Sequence, residues 1–183
     1  MANGFWQMKN KKSQIWVETA IYTLIGLTLI AIVLAIANPQ IEKIKDRSAV
    51  TQAIQALENL DNKISEVEQS IGSVSVPHIT IGKGKVIINS TNDSISYILQ
   101  DTPLEFSQVG TNIKEGNLLV RTDKHGTKFD VILIRYYRGI NITYNGEERD
   151  IFLEPGAVPY KIRMENKGQN IAENKINIDF NKV

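Results

Sequence analysis

The sequence predicts an α+β fold in which one long N-terminal helix precedes an antiparallel β-sandwich. Three observations carry this prediction. An uncharged apolar run covers residues 19–37, a charged segment with apolar residues every three or four positions follows it, and apolar and polar residues alternate from Val74 onward. We therefore predict a helix over residues 14–72 and a β-domain over residues 73–183.

Composition and charge exclude several functional classes. The chain has 21 lysines and arginines against 20 aspartates and glutamates, so it lacks the basic excess that is typical of nucleic-acid-binding proteins. The absence of cysteine excludes disulfides, thiolate metal sites and cysteine nucleophiles, and two histidines are too few for a His-rich metal site. We find no catalytic constellation of nucleophile, base and acid, and we expect no enzymatic activity, metal or cofactor.

The apolar run is long enough to cross a membrane. Thr19–Ala37 contains 19 residues without a charge. At 1.5 Å per residue such a helix spans about 28 Å, close to the hydrocarbon thickness of a bilayer. Basic residues are equally numerous on its two sides and do not orient it. As an alternative, Ala35-Ile36-Ala37 fits the cleavage site of a secretory signal, although the run is longer than the usual apolar region of such a signal.

The residues just before the run add a processing signal. They read Lys-Lys-Ser-Gln-Ile-Trp-Val-Glu over Lys11–Glu18. This pattern resembles the class III signal peptide of archaeal type IV pilin-like proteins, the pilins and archaellins, in which a membrane aspartyl peptidase removes a leader and leaves the apolar helix in the mature chain. The resemblance implies that the peptidase recognises Lys11 and Lys12 and cuts between Ser13 and Gln14. Ser13 departs from the family pattern, in which glycine or alanine is common.

Removal of the leader, residues 1–13, would make Glu18 the fifth residue of the mature chain. An unpaired carboxylate at the mouth of an apolar helix is costly to bury. Cleavage would create an α-amino cation on Gln14, four positions before Glu18 on the same helix face, so the two groups could pair and set the register of a helical bundle. In the alternative, Glu18 is solvated at the headgroup level or favours the helix N-terminus through its dipole. Cyclisation of Gln14 would abolish the cation.

After Pro39 the helical pattern becomes amphipathic. Proline removes one backbone hydrogen bond and clashes with the preceding turn, so we predict a kink near Pro39. Gly72 is the predicted C-terminal cap. We expect the apolar side to pack on the chain's own β-domain, mainly through its later turns, and on neighbouring subunits. Its members are Ile41, Ile44, Val50, Ile54, Leu57, Leu60, Ile64, Val67 and Ile71.

Turn signals divide the β-region into short strands. The segment Asp130–Tyr136 is apolar on both faces in its middle, which predicts a central strand. Asn145-Gly146 predicts a hairpin between the strands that flank it, and Asn166-Lys167-Gly168 predicts a turn. Residues 158–180 are similar to the late strands of immunoglobulin-like domains in archaeal filament proteins. Candidate strands cover residues 74–81, 85–89, 95–100, 117–122, 129–137, 140–144, 150–153, 160–165 and 175–180.

The β-region also contains Asn-x-Ser/Thr sequons. They begin at Asn89, Asn92 and Asn141. In an exported protein such asparagines are glycosylation candidates on exposed loops. Two of them share one polar loop, which favours exposure.

The leading functional hypothesis is a structural subunit of an extracellular type IV pilus-like filament. Its precursor would sit in the membrane with the N-terminus in the cytoplasm, and the apolar helices would bundle after processing. By resemblance, the partners are copies of itself or related pilins, the prepilin peptidase, a secretion ATPase and a membrane platform protein. The alternative is a single-span, membrane-anchored surface binding domain that does not polymerise. A third possibility, an extracellular enzyme on a membrane stalk, has no supporting motif.

Overall fold

The computed structural model describes residues 5–170 and 174–182, with side chains from Ile15 onward. Contacts divide the chain into two compact units, Met1–Ile41 and Glu42–Val183. Helix α1 spans Phe5–Glu68 and therefore begins in the first unit and ends in the second. We call the second unit the head. The architecture is α+β, with one long helix followed by β-sheets.

Eleven strands follow α1 in the part of the chain that the structure describes. They are β1 Val74–Ser75, β2 His78–Ile79, β3 Lys85–Asn89, β4 Ser94–Thr102, β5 Ile113–Glu115, β6 Leu118–His125, β7 Lys128–Tyr136, β8 Ile140–Tyr144, β9 Ile151–Leu153, β10 Tyr160–Asn170 and β11 Lys175–Lys182. Most coincide with predicted strands within a few residues. The short strand β5 was not predicted.

The strands form two sheets. The first has the order β1-β10-β11-β8, with β2 also paired to β10, and the second has the order β5-β6-β7-β4-β3-β9. The prediction of a central strand is confirmed, because β7 lies between β6 and β4. The prediction of purely antiparallel sheets is wrong in one place, where β8 pairs in parallel with β11.

The predicted hairpin at Asn145-Gly146 is also wrong, although the turn itself is present. Both residues have positive φ angles, 53° and 79°, as the tight two-residue turn requires. The turn closes only the bridge between Tyr144 and Glu147. Strand β8 then pairs with β11 in the first sheet, whereas β9 pairs with β3 in the second. The turn therefore transfers the chain from one sheet to the other.

Two further local predictions are corrected by hydrogen bonding. Asn166–Gly168 is a bulge inside β10, not a turn between strands. The predicted strand 74–81 is divided into β1 and β2 around Pro77, which has no N–H to donate to a ladder. The Pro77 carbonyl still accepts a hydrogen bond from the Ile162 N–H at 3.2 Å.

Helix α1 ends at Glu68, before the predicted cap at Gly72. The side-chain amide of Asn166 donates to the carbonyls of Val67 and Glu68 at 3.0 and 3.1 Å. It thereby supplies partners for carbonyls that lack one within the last helical turn. Gly72, with a φ of 77°, lies in the following turn and donates to the Asn166 carbonyl. At Pro39, where a kink is predicted, α1 continues as helix on both sides of the proline. The kink itself stays a prediction.

One hydrophobic core joins the end of α1 to both sheets. From Val50 onward, the apolar side of the helix is buried in this core, whereas Ile41 and Ile44 remain exposed. The head therefore covers most of the amphipathic half of α1 by itself. The buried helix residues are Val50, Ile54, Leu57, Leu60, Ile64 and Val67.

Candidate functional site

The first part of α1 carries an uninterrupted apolar surface. Within the described residues, one helix is long and apolar enough to cross a membrane, and its most apolar stretch is not buried against any other part of the chain. Large side chains such as Leu24, Ile30 and Ile36 are exposed. This helix could serve as a single membrane span or as a signal.

The threonines of this segment do not break its apolar character. The hydroxyls of Thr19, Thr23 and Thr28 donate to backbone carbonyls three or four residues earlier, at 2.8–2.9 Å. A hydroxyl that is satisfied within its own helix needs no water or other partner. The threonine hydroxyls of the run are therefore compatible with lipid or with a neighbouring helix.

The predicted processing residues lie at the start of this surface. Lys11, Lys12, Ser13 and Gln14 belong to α1, but their side chains lie outside the described residues. The predicted cleavage and the amine pairing therefore stay predictions. Glu18 is exposed on the helix. It is the one ionisable side chain between Ile15 and Tyr22, as the printed sequence shows.

Two buried carboxylates link α1 to the β-region, and neither was predicted from the sequence. Asp46 is fully buried and accepts hydrogen bonds from the Lys83 ammonium and, at 2.5 Å, from the Thr102 hydroxyl. Asp61 accepts from the Arg135 guanidinium at 2.9 Å and from the Asn117 amide at 3.0 Å. Their partners are 37 to 74 positions away along the chain, so no local pattern reports them.

The same carboxylates affect two buried tyrosines. Burial raises the pKa of Tyr97 to about 12, and the negative charge of Asp46 adds to the effect. Burial likewise raises the pKa of Tyr137, with a further contribution from Asp61. The Tyr97 hydroxyl donates to the Lys83 carbonyl at 2.9 Å. In both cases the folded head favours the neutral phenol.

The Tyr97 environment predicts a loss of stability at alkaline pH. An unfolded tyrosine has a pKa near 10, so the folded head holds this proton more tightly. The contribution to stability is complete below pH 10 and is lost as the pH rises to about 12. Urea unfolding midpoints at about pH 9 and pH 11.5 should fall less in Tyr97→Phe than in the unmodified chain. Equal falls in the two proteins would contradict this prediction.

The head contains a cavity of about 320 Å³ between α1 and the segment that leads into β3. Its wall is mainly apolar and includes Ala53, Leu57 and Ile81. The two lysines at its lining are Lys45 and Lys83, and the latter already pairs with Asp46. Among the described residues, no group of three or more His, Cys, Asp or Glu side chains is placed to hold a metal ion.

The structure separates the three sequon asparagines by exposure. Asn92 is exposed, whereas Asn141 is buried on β8. Asn89 is half-buried, and its side chain donates to Asp150 at 2.9 Å and accepts from the Asn92 N–H at 2.7 Å. The loop that contains Asn89 and Asn92 is therefore held in place by hydrogen bonds.

The exposure of these side chains predicts that, if the head is glycosylated after it folds, Asn92 carries a glycan and Asn89 and Asn141 do not. Peptide mass spectrometry of the natural protein should detect a glycan on the peptide that carries Asn92, and Asn92→Gln should abolish it. Asn89→Gln and Asn141→Gln serve as matched controls that should leave the glycan mass unchanged. A glycan on Asn141 would contradict the prediction, since this side chain is only 8% exposed.

Comparison with models of protein families, with curated proteins and with solved structures finds no match.

Proposed function

We propose that the chain is a structural subunit of an extracellular type IV pilus-like filament. In this proposal the precursor crosses the membrane once with a cytoplasmic N-terminus, is processed after Ser13 and polymerises through its apolar helix. The head, whose arrangement we expect to be immunoglobulin-like, lies outside the cell. Peptidase, secretion ATPase and membrane platform protein act as partners in export and assembly.

The observation that best supports the proposal is the difference in burial between the two parts of α1. The large apolar side chains from Val50 to Val67 are buried in the chain's own core, so they cannot pack against another subunit. The apolar side chains from Ile15 to Ile41 are exposed and have no such cover. An exposed helix of this kind requires lipid or other helices around it. A filament subunit uses both environments in turn.

Gly26 supports close packing between helices. Space for a Cβ atom is open at this position, with no atom of the described chain within 4 Å. Glycine destabilises a helix interior by about 1 kcal/mol relative to alanine, and the subunit's own packing gives no reason for it. In helix bundles within lipid, small residues allow backbones to approach closely. Close packing of neighbouring subunits at Gly26 would explain why a glycine occupies this position in the helix.

Glu18→Ala is expected to reduce filament assembly at least about tenfold. The substitution removes the proposed partner of the new α-amine, and loss of one member of a buried ion pair typically costs about 3–5 kcal/mol. The measurement is the yield of filaments sheared from producing cells, counted by electron microscopy, with the membrane-bound protein quantified in parallel.

Glu42→Ala provides the matched control, because Glu42 is an exposed glutamate on the same helix beyond the apolar run. It should leave filament yield unchanged. Normal filaments from Glu18→Ala would remove the proposed role of Glu18. Absence of filaments from the unmodified chain, with the protein stably anchored at the surface, would favour the non-polymerising binding domain instead.

A further inference from the structure

The cavity between α1 and the segment before β3 is an elongated groove in the head. Its lining on α1 begins at Lys45 and extends to Leu60, so the groove follows the helix for about 22 Å. Opposite the helix, the wall contains Ile79, Ile81 and Lys83. The head therefore leaves a channel open along one side of its helix.

Three alanines on α1 account for this space. Ala49, Ala53 and Ala56 are spaced by four and three residues, so they lie on one side of the helix, and each presents only a methyl group to the groove. The large residues next to them, Ile54 and Leu57, are buried in the core. Larger side chains in the alanine row would fill the groove. A mainly apolar cleft with a few polar groups at its edge is the usual form of a small-molecule site.

The groove is apolar inside and cationic at one end. The polar residues that line it, such as Gln52 and Thr80, are exposed. Its two lysines lie at the same end, because Lys83 reaches Asp46, the residue next to Lys45. Asp46 neutralises Lys83, whereas Lys45 is exposed and forms no ion pair among the residues that the structure describes. An apolar ligand with an anionic group at one end matches this arrangement.

The dimensions of the groove favour a single hydrocarbon chain. Spread over its length, the volume of about 320 Å³ gives a mean cross-section of roughly 15 Å². Carbon atoms in contact lie about 4 Å apart, so a channel of this cross-section holds one chain. A lipid chain covers half of the hydrocarbon core of a bilayer, about 15 Å, which is within the length of the groove. An α-helix is about 10 Å across, so the helix of a neighbouring copy is too wide.

A membrane that holds the apolar run is the nearest source of such a chain. Eight residues separate Lys45 from Ala37, the end of the run, and even a fully extended segment of that length covers at most about 28 Å. The groove therefore stays close to that membrane. Among the exposed residues of the segment 42–48, three are basic and one is acidic. This excess of positive charge attracts anionic headgroups.

We propose that the groove binds one hydrocarbon chain of an anionic membrane lipid, with the headgroup at Lys45. The proposal rests on the proposed function in one respect, since a membrane must hold the apolar run, but it does not require polymerisation. The bound chain covers the alanine row and the apolar wall opposite it. The lipid thereby links the head to the membrane surface.

The test uses the full chain in vesicles of phosphatidylcholine with a minority of phosphatidylglycerol. A trace of the phosphatidylglycerol carries a photoactivatable diazirine near the end of one acyl chain. After illumination, tryptic peptides report the two parts of α1 separately, because residues 13–43 contain the apolar run and residues 48–63 contain most of the α1 side of the groove. We expect label on both peptides, and within residues 48–63 we expect it on residues that line the groove.

Two substitutions with matched controls test the groove itself. Ala53→Phe fills the groove and should lower the labelling of residues 48–63 at least about tenfold. Gln55→Phe, at an exposed position on the opposite side of α1, should leave it unchanged. Lys45→Gln removes the cation at the end of the groove and should lower the same labelling about fivefold. Lys43→Gln removes an exposed lysine outside the lining and should change it less than about twofold.

The peptide of the apolar run separates this inference from the proposed function. Label on residues 13–43 without label on residues 48–63 would overturn the lipid site and leave the membrane span intact. An absence of label on both peptides would overturn the membrane span as well. Unchanged labelling of residues 48–63 in Ala53→Phe would overturn the groove as the site. Equal labelling by a phosphatidylcholine that carries the same diazirine would overturn the assignment of an anionic headgroup to Lys45.

Discussion

Leu57→Ala is expected to lower the free energy of unfolding of the head by about 3 kcal/mol. Leu57 is 4% exposed and belongs to the core that joins α1 to both sheets. Truncation of a buried leucine removes its transfer free energy and leaves a cavity, at a typical total cost of 2–5 kcal/mol. The measurement is urea unfolding of the full chain in detergent, followed by near-ultraviolet circular dichroism of the tyrosines in the head.

Leu27→Ala is the matched control for this substitution. Both leucines lie on α1, but Leu27 is 66% exposed. Its truncation should change the free energy of unfolding of the head by less than about 0.5 kcal/mol. Equal destabilisation by the two substitutions would contradict the division of α1 into an exposed half and a half that is buried in the head.

Asp46→Ala is expected to have the second large effect, a loss of about 3 kcal/mol in the free energy of unfolding. Removal of one member of a buried, hydrogen-bonded ion pair typically costs 3–5 kcal/mol. The partial exposure of Lys83 places the effect toward the lower end, because its ammonium can turn to water. Thr102 would lose the acceptor for its hydroxyl. Denaturant unfolding as above measures the change.

Two further variants test the cause of this loss. Asp46→Asn keeps an oxygen that can accept a hydrogen bond from Thr102 but removes the charge. Its free energy of unfolding should therefore lie between those of Asp46→Ala and the unmodified chain. Glu42→Ala removes an exposed carboxylate one helical turn earlier, and its effect should stay within about 0.5 kcal/mol. A loss in Glu42→Ala as large as that in Asp46→Ala would show that the burial of Asp46 is not the cause.

The sequence predicted element types well because periodicity is local. The single long helix, the extents of β3 and β8 and the central position of β7 all follow from the spacing of apolar residues. Pairing depends on distant segments and was less predictable. The turn at Asn145-Gly146 is correct as local chemistry, yet the strands on its two sides belong to different sheets. An immunoglobulin-like arrangement stays a prediction.

In the candidate site, too, local features could be predicted from the sequence and long-range contacts could not. The apolar run and Glu18 are visible in the sequence because they are contiguous. The capping of α1 by Asn166 and the anchoring of Asp46 and Asp61 depend on partners far away along the chain. The partial exposure of Ile132 and Ile134 was also hidden, because β7 is apolar on both sides in its middle and so appears in the sequence as a strand buried on both faces.

N-terminal and intact-mass spectrometry of the chain from its native membrane or cell surface tests the proposed cleavage after Ser13. If the chain is a filament subunit, the mature chain begins at Gln14 and retains all later residues. A species lighter by one ammonia would still show cleavage after Ser13 but would remove the pairing of the amine with Glu18. A surface-exposed chain that retains Lys11, Lys12 and Ser13 would contradict the filament proposal, and one that begins after Ala37 would identify a secreted head without its helix.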